Sequence, residues 1–160
     1  MKKDISQKGI SLVEVIIASA IIGVSMIYIS NVYTNFLTLS LENTAKVQAV
    51  FILDEGVEAL KTMRNYSWSQ IASTTAATDY YLVWQSGRWQ ATTTKIIIDD
   101  TFVRKFTVSP VNRDAATLNI VTTGGVPNTD TKIINLDVSW NYKGATSSKS
   151  TSFYIFNLYE

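Results

Sequence analysis

The stretch KGISLVEVIIASAIIGVSMIYISNVY, residues 8–33, constrains this chain more than any other. It is apolar on all sides rather than along one face, and between Gly9 and Leu41 it holds a single charge, Glu14. Residues 12–29 are interrupted only by Glu14, Ser19, Gly23 and Ser25, and the charge-free stretch then runs on to Leu41. About 20 such residues in one helix span a bilayer. Ser19 and Gly23 form a small-xxx-small pair that lets a second helix approach closely. A charged side chain mid-membrane costs about 3 kcal/mol, somewhat less near the boundary. A carboxylate kept at that expense points to use.

The segment before it, MKKDISQKG, is short and basic and has no apolar region of its own. A secretory signal peptide would place small residues in an A-x-A-like pattern after the apolar run; nothing clearly of that kind follows here. Lys2, Lys3 and Lys8 against Asp4 give this segment +2. By the positive-inside rule, that charge holds the N-terminus in the cytoplasm. The whole chain carries +1, which leaves −1 from Ile10 onward. That balance offers no electrostatic footing for nucleic acid.

The chain has 160 residues with neither Cys nor His. The missing Cys excludes a disulfide scaffold, a thiolate metal site and a Cys nucleophile. The missing His removes the commonest general base and zinc ligand. No Ser–base or paired-carboxylate arrangement stands out, so the reading is a non-enzyme without a cofactor.

Glu14 has two compatible readings. Ser11-Leu12-Val13-Glu14 fits the S/T-x-x-E capping box, with Ser11 as N-cap and Glu14 reaching back to its backbone N–H. The same carboxylate can wait, capped, for a partner charge from another chain.

At Lys8-Gly9-Ile10-Ser11-Leu12-Val13-Glu14-Val15 the sequence resembles the class III leader of type IV pilins and type II secretion pseudopilins. The resemblance implies cutting by a prepilin peptidase between Gly9 and Ile10, and methylation of the new Ile10 amine. Ile10 departs from the Phe more usual at that place in the family. Glu14 becomes the fifth mature residue, where the family has a near-obligatory Glu, whose proposed partner is the N-terminal amine of a neighbouring subunit. The helix has no Pro, and Gly23 with Ser25 is its evident soft spot.

Helical periodicity continues beyond the apolar run. Ala49, Leu53, Gly56/Val57, Leu60 and Met63 recur at three- to four-residue spacing, with Asp54, Glu55, Glu58, Lys61 and Arg64 mostly on the other faces. Glu55 and Glu58 read as a solvated face, and Asn65-Tyr66-Ser67 as the helix end. A continuous helix over residues 12–64 would be about 80 Å long, far longer than the small domain behind it needs. The run ILDEGVEALKTMRN followed by Trp68 resembles minor pilins.

Residues 69–79, rich in Ser, Thr and Ala, read as a surface connection. Strands are predicted at 80–84 and 89–93 around a Ser86-Gly87 turn, at 95–99 and 102–111 around Asp99-Asp100, weakly at 118–122, and at 132–142 and 150–158 around Lys143-Gly144. The alternation of Ile134, Leu136, Val138, Trp140 and Tyr142 with polar residues marks a half-buried antiparallel strand. The expected fold is therefore α+β: a long N-terminal helix, its first half membrane-spanning, packed on a C-terminal antiparallel meander. TFVRKFTVSPVNRD and TDTKIINLDVSW also resemble the heads of minor pilins and of the I-type minor pseudopilin of type II secretion.

Three features tempt toward ligands. Trp68, Trp84, Trp89 and Trp140 would make a stacking platform, but aromatics at alternating strand positions read first as core. Asn128, Asp130 and Asp137 lack an ordered calcium-ligand spacing and read as solvated loop residues. Gly124-Gly125 reads as a turn.

The resemblance thus implies a leader at residues 1–9, a transmembrane and filament-core helix at 10–36, and a pilin-like head at 37–160. The function it implies is that of a minor pilin or pseudopilin in a type IV pilus-like or type II secretion-like filament. Its expected partners are prepilin peptidase, other pilin subunits, the inner membrane and an assembly platform. Its expected place is the inner membrane, in a single pass, followed by an extracellular or periplasmic filament. A major pilin and a non-polymerising, membrane-anchored adhesin or binding domain are the alternatives.

Overall fold

The computed structural model describes residues 12–158. Its elements are α1 (Leu12–Tyr66), α2 (Ser69–Ala72), β1 (Tyr80–Gln85), β2 (Arg88–Thr92), β3 (Phe102–Arg113), β4 (Ile120–Val121), β5 (Val126–Tyr142) and β6 (Ala145–Phe156). The chain divides into two compact units between Asn43 and Thr44, each described by itself. In the first unit no described residue is buried.

In the second unit the helical stripe meets the sheet. Ala49, Ile52, Leu53, Gly56, Ala59, Leu60 and Met63 are buried at the expected spacing. Opposite them, β3 buries Phe102, Arg104, Phe106 and Val108, and β5 buries Ile134, Leu136, Val138 and Trp140. Cross-strand register pairs these residues on one face: Phe102 with Trp140, Arg104 with Val138, Phe106 with Leu136 and Val108 with Ile134. Leu82, Ile71 and Ile155 complete this core. The other sheet face carries the intervening pairs Lys105–Asp137 and Thr107–Asn135, as the period-two pattern requires.

The tight turns follow from left-handed backbone positions. Ser86-Gly87 (φ 54° and 75°) and Lys143-Gly144 (φ 50° and 82°) have positive φ at both central residues, the geometry that suits two-residue hairpins. At Pro110, which has no N–H to give the ladder, register breaks. Pro110 pairs with Lys132 while Val111 pairs with Asn128, so residues 129–131 have no partner in β3, although Thr131 stays paired with Phe156 of β6.

Several expectations need correction. The sheet is antiparallel but not a simple meander: its order is β2-β1-β3-β5-β6, with β4 paired to β3. The strand expected over 95–99 is a single bridge, Ile98 to Phe102. Extending that hairpin would put residues 95 and 94 opposite Lys105 and Phe106, but Tyr81 and Tyr80 already occupy those positions. The 69–79 connection contains one helical turn, α2, because Ile71 enters the core with no exposed surface. The strand expected at 118–122 shrinks to Ile120–Val121.

Candidate subunit-assembly helix

The first half of α1 presents its apolar side chains outward. Leu12, Ile16, Ile21, Met26, Ile29 and Val32 are each more than half exposed. Its most apolar 18-residue window has a mean hydropathy of 2.3, with none of it buried. Three of the hydroxyls here need no water as acceptor, because each donates to a carbonyl one turn back. Ser19 Oγ bonds Ile16 O at 2.9 Å, Ser25 Oγ bonds Ile21 O at 2.8 Å and Thr34 Oγ1 bonds Ser30 O at 2.9 Å. Tyr28, Tyr33 and Phe36 cluster toward the end of the run, the aromatic type that membrane–water boundaries favour.

Glu14 lies in the first turn of α1. It shares a helical strip with Val15, Ala18, Ser19 and Ile22, so a carboxylate heads a row that includes two small side chains. Acidic groups are favoured at this end, where free backbone N–H groups make the helix locally positive. At Gly23 an added Cβ would meet nothing within 4 Å. The fold of this chain therefore gives no steric reason for a Gly, which costs a helix about 1 kcal/mol relative to Ala. Gly9, Ile10 and the capping residue Ser11 lie outside the described residues.

The head places the remaining polar candidates. Glu55 and Glu58 are exposed, in agreement with the reading of a solvated face, and Glu55 Oε1 adds one marginal ion pair, 3.5 Å from Arg104 Nη2. Arg104 was missed as a core residue although the alternation of Phe102, Arg104, Phe106 and Val108 marks it. It is 4% exposed, and burial lowers its pKa while Glu55 opposes that effect. Of the four tryptophans, Trp140 is buried and Trp68 and Trp89 pack against the core, but Trp84 is 59% exposed, contrary to expectation. It meets Trp89 edge-on at 5.4 Å across the hairpin. Asp130 and Asp137 are seven residues apart along β5, roughly 20 Å in a strand, and do not converge on one ion. Asp130 instead accepts from Asn157 Nδ2 at 3.3 Å. Gly124 and Gly125 form the turn as read, both with positive φ.

Residues 5–30 match the model of the prokaryotic N-terminal methylation motif, a span that holds Gly9, Ile10 and Glu14. No curated protein and no solved structure matches the chain. Such a leader implies processing by prepilin peptidase, and the helix behind it suits a membrane or a filament. Proteins of this kind are generally structural subunits rather than enzymes. Residues 5–30 thus carry the N-terminal methylation motif found on prepilins, and in this chain it is joined to a long apolar helix and an antiparallel head, an α+β arrangement like that of the type IV pilins.

Proposed function

We propose that the chain is a minor subunit of a type IV pilus-like or type II secretion-like filament. It is made as a membrane-inserted precursor with residues 1–9 as leader, residues 10–36 as membrane and filament-core helix, and residues 37–160 as head. The leader stays cytoplasmic, prepilin peptidase cuts after Gly9, and the amine of Ile10 is methylated. The observation that carries this reading is the coincidence of the methylation motif with a helix none of whose described residues before Thr44 is buried.

Assembly moves this helix from lipid into a bundle of other helices. Both surroundings are apolar, so apolar burial alone gives little drive, and packing and polar contacts set the geometry. Ser19 and Gly23 allow close approach. Glu14 sets the axial register by pairing with the N-terminal amine of an adjacent copy, since leaving one side of a buried pair without its partner costs about 3–5 kcal/mol. The filament's assembly platform and its other subunits are the partners. The "minor" assignment rests on the resemblance of the head.

Mass spectrometry of the protein from cells with and without prepilin peptidase tests the reading. A mature N-terminus at methylated Ile10, seen only when the peptidase is present, is the expected result; an intact leader in both overturns it. Quantifying subunits in sheared filaments tests the finer assignment, and a dominant band of this chain would make it the major pilin.

A further inference from the structure

The head holds a cleft of about 300 Å³ between the end of α1, α2 and the β1–β2 hairpin, lined by Gln70, Ser73, Thr74, Tyr80, Arg88 and Gln90. Met63 and Ala91 supply its apolar part. This volume sits at the small end of ligand sites, the size of one monosaccharide rather than a nucleotide. Its lining holds one formal charge, that of Arg88.

Arg88 is held before any ligand arrives. Its guanidinium carbon lies 4.7 Å from the centre of the Tyr66 ring, and its Nη1 donates to Tyr66 Oη. Its Nε is shut off from solvent without a partner, and Nη2 makes no bond among the described residues. No described carboxylate pairs with it. A stacked, oriented and uncompensated guanidinium is a receptor for a planar carboxylate.

The neutral groups around it have complementary capacity left over. Tyr80 Oη accepts from the Thr75 N–H at 2.9 Å, which leaves its own O–H to donate. Thr74 Oγ1 donates to Ile71 O at 2.7 Å, which leaves its lone pairs to accept. Gln90 Nε2 donates to Gln85 O at 3.3 Å, leaving its amide oxygen. Donors and acceptors in one small cleft match vicinal hydroxyls, which both donate and accept. A phosphate dianion would call for more than one cation, and an amine would call for a carboxylate that this lining lacks.

We infer that the cleft binds a monoanionic polyhydroxy ligand of the acidic-sugar class, its carboxylate on Arg88 and its hydroxyls on Tyr80, Thr74 and Gln90. This head site is independent of the assembly helix. The test is calorimetric titration of the full chain in a sugar-free detergent with D-glucuronate, D-glucose and inorganic phosphate. Saturable glucuronate binding is expected, about tenfold tighter than glucose. Arg88→Gln should bring glucuronate to the glucose level, with Arg88→Lys recovering part of the loss. Ser73→Trp, at an exposed position on the cleft, should block both sugars and keeps the test valid should Arg88→Gln fail to fold. Absence of saturable glucuronate binding, indifference to Arg88→Gln in a folded protein, or phosphate binding as tightly as glucuronate would each overturn the proposal.

Discussion

Arg104 Nη1 donates to the main-chain carbonyl of Ile52 at 2.9 Å, fastening β3 to α1 at the place where the helix has Gly56. A Cβ at Gly56 would lie 2.8 Å from Arg104 Cδ and 2.9 Å from Leu136 Cδ2. Overpacking of this kind costs about 1–3 kcal/mol, and the better helix propensity of Ala returns up to about 1 kcal/mol. Because the hydrogen bond restrains Arg104, the clash is expected to win. Gly56→Ala should destabilise the head by about 1–2 kcal/mol in urea unfolding of the detergent-solubilised chain. Stability equal to the parent would show that both side chains move aside freely.

Arg104 and Glu55 should respond unequally to removal. The Glu55 carboxylate is half-exposed and 3.5 Å away, so Glu55→Ala should fall within about 0.5 kcal/mol of the parent. Arg104→Ala loses a buried stem and the bond to Ile52, and should cost about 2–3 kcal/mol. Arg104→Met restores the packing without the burial of a charge and should recover much of that. Equal losses for Glu55→Ala and Arg104→Ala would mean that the ion pair, not the packing, holds this position.

Two carboxylates in the head should titrate in a fixed order. Asp114 accepts from the Thr117 N–H at 2.8 Å, the Thr117 hydroxyl at 3.0 Å and the Ala116 N–H at 3.0 Å, and these bonds lower its pKa. Its contribution to stability is present above the unfolded-state pKa and is lost as pH falls through the lower folded value. Asp137 is shifted upward, chiefly by burial, with Asp79 adding to the rise and Lys105 opposing it. Its ionisation therefore opposes folding, and stability declines as pH rises from the unfolded value through the folded one. Carbon-13 NMR titration should show Asp114 below and Asp137 above the ordinary Asp range. Asp137→Asn should leave the neutral-pH Tm equal or higher.

Lys105 works in the other direction. Its pKa is raised first by the hydrogen bond to Asp79, at 2.9 Å. That contribution is full below the unfolded-state pKa of Lys and fades as pH rises through the folded value. Both side chains are close to half-exposed, so solvent screens the pair and Asp79→Asn should change neutral-pH stability little. It should lower the Lys105 pKa, read by nitrogen-15 NMR of the ammonium; an unchanged value would show that the pair is absent in solution.

Glu14→Ala should insert and be cleaved normally yet enter filaments poorly, measured by comparing membrane and sheared-filament fractions. Equal incorporation would leave the Ser11–Glu14 cap as the whole explanation of that carboxylate. Gly23→Leu tests close helix approach separately. An added Cβ there has no described atom within 4 Å, and Gly23 lies outside the unit that forms the head, so thermal unfolding of the head should be unchanged while incorporation falls. Unchanged incorporation would remove Gly23 from the proposed helix contact.

Features written in local period were legible in the sequence. The apolar run, the stripe through Ala49, Leu53, Gly56, Leu60 and Met63, and the alternation from Ile134 to Trp140 each depend on neighbours a few positions away. The turns at Ser86-Gly87 and Lys143-Gly144 depend on two residues and their backbone freedom. Arg104 was just as legible by parity, but a cation among Phe102, Phe106 and Val108 becomes intelligible only when the Ile52 carbonyl comes within reach.

What only the tertiary structure decided is who pairs with whom. Residues 95–99 have the composition of a strand, yet β1 takes the edge of β3 that they needed. Strand character is a property of the segment, whereas a ladder is a contest among segments for one edge. The same distinction applies to the cleft beside Arg88, whose walls come from α1, α2, β1 and β2 and share no pattern along the chain. For the first half of α1 the order is reversed. The sequence by itself determined an apolar helix with one carboxylate, because composition suffices for that, and the fold of this chain buries none of its described residues.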